Sequence, residues 1–517
     1  MLDTALSAPE MADFQADFSR LLAERPTIRI LIYTDDPETT DGNGSFALGQ
    51  MIAHIKAHKP TFAVLDIKFK CRNSDIETHA DNKLDEATLD EYDQVWFFGF
   101  HQVNRKKYTM GMLRGGPESE LVEAEVLALK NWMRTDKRGG GVLMTGDHSQ
   151  EPPPDALPGT NELCPDATVQ DEKFLGLGRA IGRCVPRAGR LRRWKGEPTR
   201  RPQDSFNTQV SVPGVDVNDS RLQIDPTPQH LVLRHFNEEG KPTPDGQPHP
   251  LFFYKGESWI RAFPDHTHEG AVVIPDEAEF ADTETWPKGK TRQPRPHVVA
   301  YGIDERNCRL LNLVAAYDGD PARVGRIVAD STWHHYLNIN LTNLGPPAPE
   351  GSAADQIGQY YGNLALWLTP LSKRKEMARL MFRWLATHPS MKEELHNDVL
   401  SIGRTAYSIL SRVASPCEIH ELLQADVPDE YREQFETLYF KEGGFALSSF
   451  PSKEMVCGHV VNWYQQEMIR AEISEDDKEA RFMDEAVVDT GFRKAFEEQA
   501  TQMTQLALKA QELIRTK

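Results

Sequence analysis

The first apolar run of the chain, IRILIYTDD at residues 28–36, is rich in β-branched residues and ends in two acids. It predicts a strand whose carboxyl end carries Asp35 and Asp36. The following segment sets Phe46, Leu48, Met51, Ile52 and Ile55 at helical spacing. FAVLDIKF and the apolar middle of LDEYDQVWFFGFH (residues 89–101) predict a second and a third strand. LVEAEVLALKNWMRT predicts a helix with Val122, Val126, Leu127, Leu129 and Trp132 largely on one side, and Gly139, Gly140 and Gly141 lead from it into the strand VLMTG. Continuous apolar strands alternating with helices are the pattern of a parallel sheet covered on both faces. A short amphipathic helix over residues 10–25, with Phe14, Phe18, Leu21 and Leu22, is expected ahead of it.

Between residues 150 and 297 this rhythm breaks. EPPPDALPG and GKPTPDGQPHP are Pro/Gly-rich, and the stretch between them is polar with a few short strand candidates, which predicts a large loop-rich insertion on the sheet. Strand patterning returns in HVVAYGID, CRLLNLVAAYDG and VGRIVADS, residues 297–331. GPPAPEGSA reads as a linker, and helical periodicity follows. QIGQYYGNLALWL (356–368) is one helix; in the next, Met377, Leu380, Met381, Trp384 and Leu385 fall at i, i+3, i+4, i+7 and i+8. A last helix lines up Phe492, Phe496, Met503, Leu506, Ala510 and Leu513. These stripes predict a helix-bundle core, with a partner-binding groove as the other use.

The expected architecture is therefore α/β: a flavodoxin-like, mostly parallel sheet with helices on both faces. It comprises an N-terminal helix (1–26), an α/β domain (27–345) with its insertion at about 150–297, a linker (346–354) and an α-helical C-terminal region (355–517). A chain of 517 residues exceeds what one hydrophobic core usually serves, in keeping with that division.

A formal charge of −19 argues against a general nucleic-acid or anionic-membrane binder, since phosphates are held by excess Lys and Arg. Six scattered cysteines without a CxxC pair indicate neither a zinc ribbon nor a disulfide framework, and reduced thiols fit a cytoplasmic protein. The N-terminus lacks the pattern of a signal peptide, and no apolar run reaches the roughly 20 residues needed to span a bilayer. No nucleic acid and no membrane are expected as partners.

Ligands of open α/β sheets bind outside the carboxyl ends of the strands. This chain ends its first strand in Asp35 and Asp36 and its third in His101; VLMTG is followed by Asp147, His148 and Ser149, and VGRIVADSTWHHY by Asp330, Ser331, His334 and His335. Aspartate also caps helices, so each one alone has an ordinary explanation; histidine is not a preferred cap. In the insertion, PDHTHEG offers His266, His268 and Glu269, donors suited to zinc or another divalent ion, with no strict metal signature; an exposed polar loop explains them equally. A further ligand could come from His148, His334 or His335. There is no GxSxG elbow and no Walker loop. GLGRAIG has the look of a dinucleotide loop but follows no strand. The arginines from Arg179 to Arg193 could clamp a phosphate or carboxylate, although salt bridges within an acidic protein account for them as well.

The order of a helix, GGGVLMTGDHS, a long excursion and then VGRIVADSTWHHY resembles the ThuA-like branch of the class I glutamine amidotransferase-like superfamily. Gly146, Asp147 and His148 stand where true amidotransferases carry a G-x-C-x-G turn, so histidine replaces the thiol. PDHTHEGAVVIP is similar to the family's His-Glu-Gly segment, and GRIVADSTWHH to its closing Gly-Arg strand. The resemblance covers roughly residues 27–345 and implies a carbohydrate-like substrate and no glutamine amidotransferase activity.

Two functions fit. In the first, His148 is a general acid/base oriented by Asp147 or Asp36. His334 or His335 is then a second acid/base group or a metal ligand, the metal set being His266, His268, Glu269 and His335. The reaction is hydrolysis or isomerisation of a polar small molecule. In the second, the protein senses a small molecule without turning it over, and its C-terminal helices bind a partner or a second copy to form a homo-oligomer. Fold alone does not choose between them.

Overall fold

The computed structural model describes residues 23–34, 39–44, 47–71, 84–98, 123–145, 228–236, 246–256, 258–264, 272, 280–281, 283, 286–289, 293–304, 309–330, 335–341, 344–392, 398–425, 427, 453–471 and 480–515. By their contacts the residues divide into a sheet unit, Thr27–Lys59 with Leu65–Leu371, and a helical unit, Met1–Pro26 with Pro60–Val64 and Ser372–Lys517.

The strands of the sheet unit begin with β1 (Thr27–Thr34), β2 (Val64–Cys71), β3 (Gln94–Phe98) and β4 (Gly141–Met144). From the expected insertion come β5 (Pro228–Leu233), β6 (His235–Phe236), β7 (Gln247–Pro248) and β8 (Ala262–Pro264), followed by β9 (His297–Asp304), β10 (Arg309–Tyr317) and β11 (Ile327–Asp330). Nine of them form one sheet in the order β2-β1-β3-β4-β11-β10-β9-β5-β8. Pairing is parallel from β1 through β3 and β4 to β11, then antiparallel through β10, β9, β5 and β8. Following those pairings, β1, β3, β4, β11, β9 and β8 point one way and β10 and β5 the other, so the sheet is mixed yet mostly one-directional.

The loop-rich region 150–297 contributes β5 and β8, which extend the sheet beyond β9. Strand β10 runs antiparallel to both β9 and β11, in keeping with the short connections between them, whereas a parallel crossover takes a dozen or more residues.

The continuous apolar runs of β3, β4 and β11 are buried at every position, as strands covered on both faces should be. On one face, Leu31, Tyr33, Val95, Phe97, Val142, Met144, Ile327 and Ala329 pack with Leu129, Trp132 and Met133 at the end of a helix. The helices of this unit are α1 (Gly49–Ala57), α2 (Glu86–Asp90), α3 (Glu123–Trp132), α4 (Asn338–Leu341) and α5 (Ala353–Trp367). Leu127, expected among the buried positions of α3, is instead 57% exposed. On the other face, the Gln94 amide donates to the carbonyl of Ala365 in α5 at 2.5 Å and to Thr369 Oγ1 at 3.0 Å. Helix α5 begins at Ser352, whose side chain accepts from Asp355 N, and it is buried along nearly its whole length.

The helical unit contains α6 (Leu371–Thr387), α7 (Pro389–Lys392), α8 (Val399–Val413), α9 (Pro416–Ala425), α10 (Lys453–Ala471) and α11 (Ala480–Arg515). The α6 stripe Met377, Leu380, Met381, Trp384 and Leu385 is buried, as its spacing predicts, and Phe492 and Phe496 of α11 are buried too. Among the described residues no helix is long and apolar enough to cross a membrane, and Cys71, Cys417 and Cys457 are buried thiols outside any disulfide. The expected N-terminal helix, the Arg179–Arg193 stretch and GLGRAIG lie almost entirely outside the described residues.

Candidate functional site

Parallel pairing aligns the carboxyl ends of β1, β3, β4 and β11 along one edge of the sheet, where Thr34, Phe98, Met144 and Asp330 are the last strand residues. Of the residues singled out in the sequence, Asp36, Asp147, His148, His334, His266, His268 and Glu269 lie outside the described residues, as do Asp35, His101, Ser149 and Ser331. Asp330 and His335 are described, and the structure brings these two together.

Asp330 Oδ2 accepts from His335 Nδ1 at 2.9 Å, from the Tyr336 hydroxyl at 2.9 Å and from the Tyr360 hydroxyl at 3.4 Å. The Tyr361 hydroxyl donates to the His335 carbonyl. The imidazole is fully buried, with Phe263 edge-on at 5.1 Å and Tyr336 at 6.3 Å between ring centroids. Burial, followed by the nearby Asp330 carboxyl, pushes Tyr336, Tyr360 and Tyr361 well above the ordinary phenol range, so all three remain hydroxyl donors. Holding Nδ1–H on a carboxylate fixes the tautomer and makes Nε2 the basic nitrogen, the arrangement found behind metal-bound and general-base histidines. The Tyr360 and Tyr361 hydroxyls also tie α5 to the end of β11 and to His335 just after it. Periodicity marked Tyr360 and Tyr361 only as helix core; their hydroxyl partners are non-local and leave no mark in the sequence.

A second polar cluster lies between α1 and α5 and escaped the sequence reading altogether. His54 Nε2 donates to the Leu344 carbonyl at 2.7 Å, which leaves Nδ1 as an acceptor; this atom is buried and makes no hydrogen bond among the described residues. The His58 ring stacks on His54 at 6.2 Å, and its Nε2 lies 3.7 Å from Asp355 Oδ1. Burial lowers both histidines below their ordinary range, for His54 against its bond to Leu344 and for His58 against the pull of Asp355. Asp355 Oδ2 accepts from the Tyr254 hydroxyl, from Gly351 N at 3.1 Å and from Lys255 Nζ at 3.4 Å. Against the upward push of burial, those donors hold the Asp355 carboxyl below the usual range. The i, i+4 spacing of His54 and His58 was the available signal, but a helical His pair fits a solvent-facing helix side equally well.

Among the described residues no three His, Cys, Asp or Glu side chains converge as a metal ion requires. No family model, no curated protein and no solved structure matches the chain.

Proposed function

We propose that the chain is a ThuA-like, glutamine amidotransferase-like protein that acts on a polar, sugar-like small molecule at the carboxyl edge of its sheet, by histidine and carboxylate acid–base chemistry without a cysteine nucleophile. The observation that carries this reading is the Asp330–His335 hydrogen bond at the end of β11, beside the end of β4. The chain leaves β4 at Met144, three residues before Asp147 and four before His148, and it leaves β1 at Thr34, two before Asp36. The order β2-β1-β3-β4-β11 supports reading the sheet as flavodoxin-like, and in such sheets ligands sit where the strand order reverses, beside β1 and β3.

In this reading His148 takes and returns the proton, Asp147 or Asp36 orients it, and His334 serves as the second acid/base group. His335, with Nδ1 held by Asp330, fits a ligand role together with His266, His268 and Glu269. A divalent ion bound there, zinc by its donor set, would polarise a substrate oxygen or acidify a water.

The full-length protein is incubated with a panel of mono- and disaccharides, and conversion is followed by NMR, with metal content measured beforehand. His148→Ala should lower turnover about 100-fold or more with an unchanged melting temperature. His266→Ala and His268→Ala should reduce bound zinc. Turnover that survives His148→Ala, or a panel in which no sugar is converted, overturns the reading.

A further inference from the structure

A short hairpin and the first turn of α5 enclose an open cleft of about 420 Å³ lined by Tyr254, Ser258, Trp259, Arg261 and Gln356. Its walls are firmly built. Tyr254 N donates to the Ser258 carbonyl at 3.0 Å and Ile260 N to the Phe252 carbonyl at 2.8 Å, with Gly256 at φ 61° making the turn. Gln356 is spent as a staple. Its Oε1 accepts from Arg261 N at 2.7 Å and Ala262 N at 3.2 Å, and its Nε2 donates to the Gly351 carbonyl at 2.9 Å. Tyr254 is committed to Asp355, and Lys255 divides its charge between Asp355 and Glu350, at 3.4 Å each.

Two groups in the cleft are not used in this way. The Trp259 indole, half-buried and backed by Phe253 at 5.5 Å, presents an aromatic wall. The exposed Arg261 guanidinium pairs with no carboxylate among the described residues, in a protein whose acids outnumber its bases by 78 to 59. In such a protein an arginine with no carboxylate partner among the described residues, at the mouth of a cleft, is a natural seat for an incoming one, because the planar fork of a guanidinium matches a carboxylate bidentately. An aromatic wall in an open, wet cleft suits a ring with an apolar C–H face whose hydroxyls can stay hydrated.

We propose that this cleft binds a sugar acid, with the carboxylate on Arg261 and the ring against Trp259. It shares no residue with the carboxyl-edge site and stands independently of the function proposed for that site.

The full-length protein is titrated calorimetrically with glucuronate, with glucose as the same ring lacking the carboxylate, and with inorganic phosphate. Glucuronate should bind saturably, and glucose and phosphate at least about tenfold more weakly. Arg261→Gln, a change at an exposed side chain, should cost about tenfold or more in glucuronate affinity with an unchanged melting temperature. Trp259→Leu should weaken glucuronate and glucose alike; if that variant does not fold, Arg261→Gln alone decides. Absence of saturable glucuronate binding, equal affinity in Arg261→Gln, or phosphate or glucose binding as tightly as glucuronate each overturns the proposal.

Discussion

At the scale of single residues, the Asp330 carboxyl is the hub of the hydrogen bonds at the end of β11. Three donors converge on one of its oxygens in a site without water access, so each hydrogen bond there is strong and each loss leaves a buried polar group unsatisfied. Asp330→Asn retains the volume but brings an amide N–H₂ toward hydroxyl and imidazole donors. It should cost about 1–3 kcal/mol, read as a lower urea midpoint at unchanged m-value. A variant as stable as the parent would mean that the three donors find other acceptors. Asp330 and His335 were legible in the sequence because a strand that ends in acid and imidazole is unusual. Their partners were not: Tyr336, Tyr360 and Tyr361 are residue types that a core accepts on apolar grounds alone, and only the fold reveals where each hydroxyl points.

At the scale of elements, the central strands were legible because burial on both faces imprints an uninterrupted apolar run. Direction was harder. β9 and β10 have the same apolar character as the parallel strands, and their orientation is encoded only in the brevity of the connection between Asp304 and Arg309. The short β5 and β8 carry too few residues for any periodicity to emerge. Helix α5 was predicted as a helix, but its partner was not, and Gly358 shows why the contact is close. A Cβ there would lie 2.6 Å from His54 Nδ1 and 2.7 Å from His58 Nε2. Alanine in a helix normally gains about 0.5–1 kcal/mol over glycine. Overpacking against two ring nitrogens costs about 1–3 kcal/mol, so the clash should win. Gly358→Ala is therefore expected to lower the melting temperature, with Gly351 as a control of opposite kind: it is held at φ 78° with open space around it, so substitution there is penalised by the backbone alone. A stabilised Gly358→Ala protein would show that α1 and α5 can separate without loss.

At the scale of the whole molecule, each unit buries a titratable group, and the two respond to pH in opposite senses. In the sheet unit, burial holds His54 and His58 below 6.5, so between the folded pKa and 6.5 the unfolded chain binds more protons. Their contribution is present above 6.5 and is lost as pH falls. In the helical unit, Glu418 of α9 accepts from Thr61 N and Phe62 N, both at 2.9 Å, and burial pushes its carboxyl from 4.5 up to about 7 despite those donors. Here the folded chain binds the extra proton, so the contribution is complete below 4.5 and is lost as pH rises toward 7 and beyond; a shift of that size corresponds to roughly 3 kcal/mol. The net slope of either unit sums other groups, His388 among them, whose burial also lowers its pKa. Differences between parent and variant isolate the single terms. Between pH 5 and pH 8, the stability of the parent relative to His54→Gln should rise, and relative to Glu418→Gln it should fall. Urea unfolding at four pH values measures both differences. Two difference curves of the same sign would mean that one of these side chains is solvated in a way its enclosure does not permit.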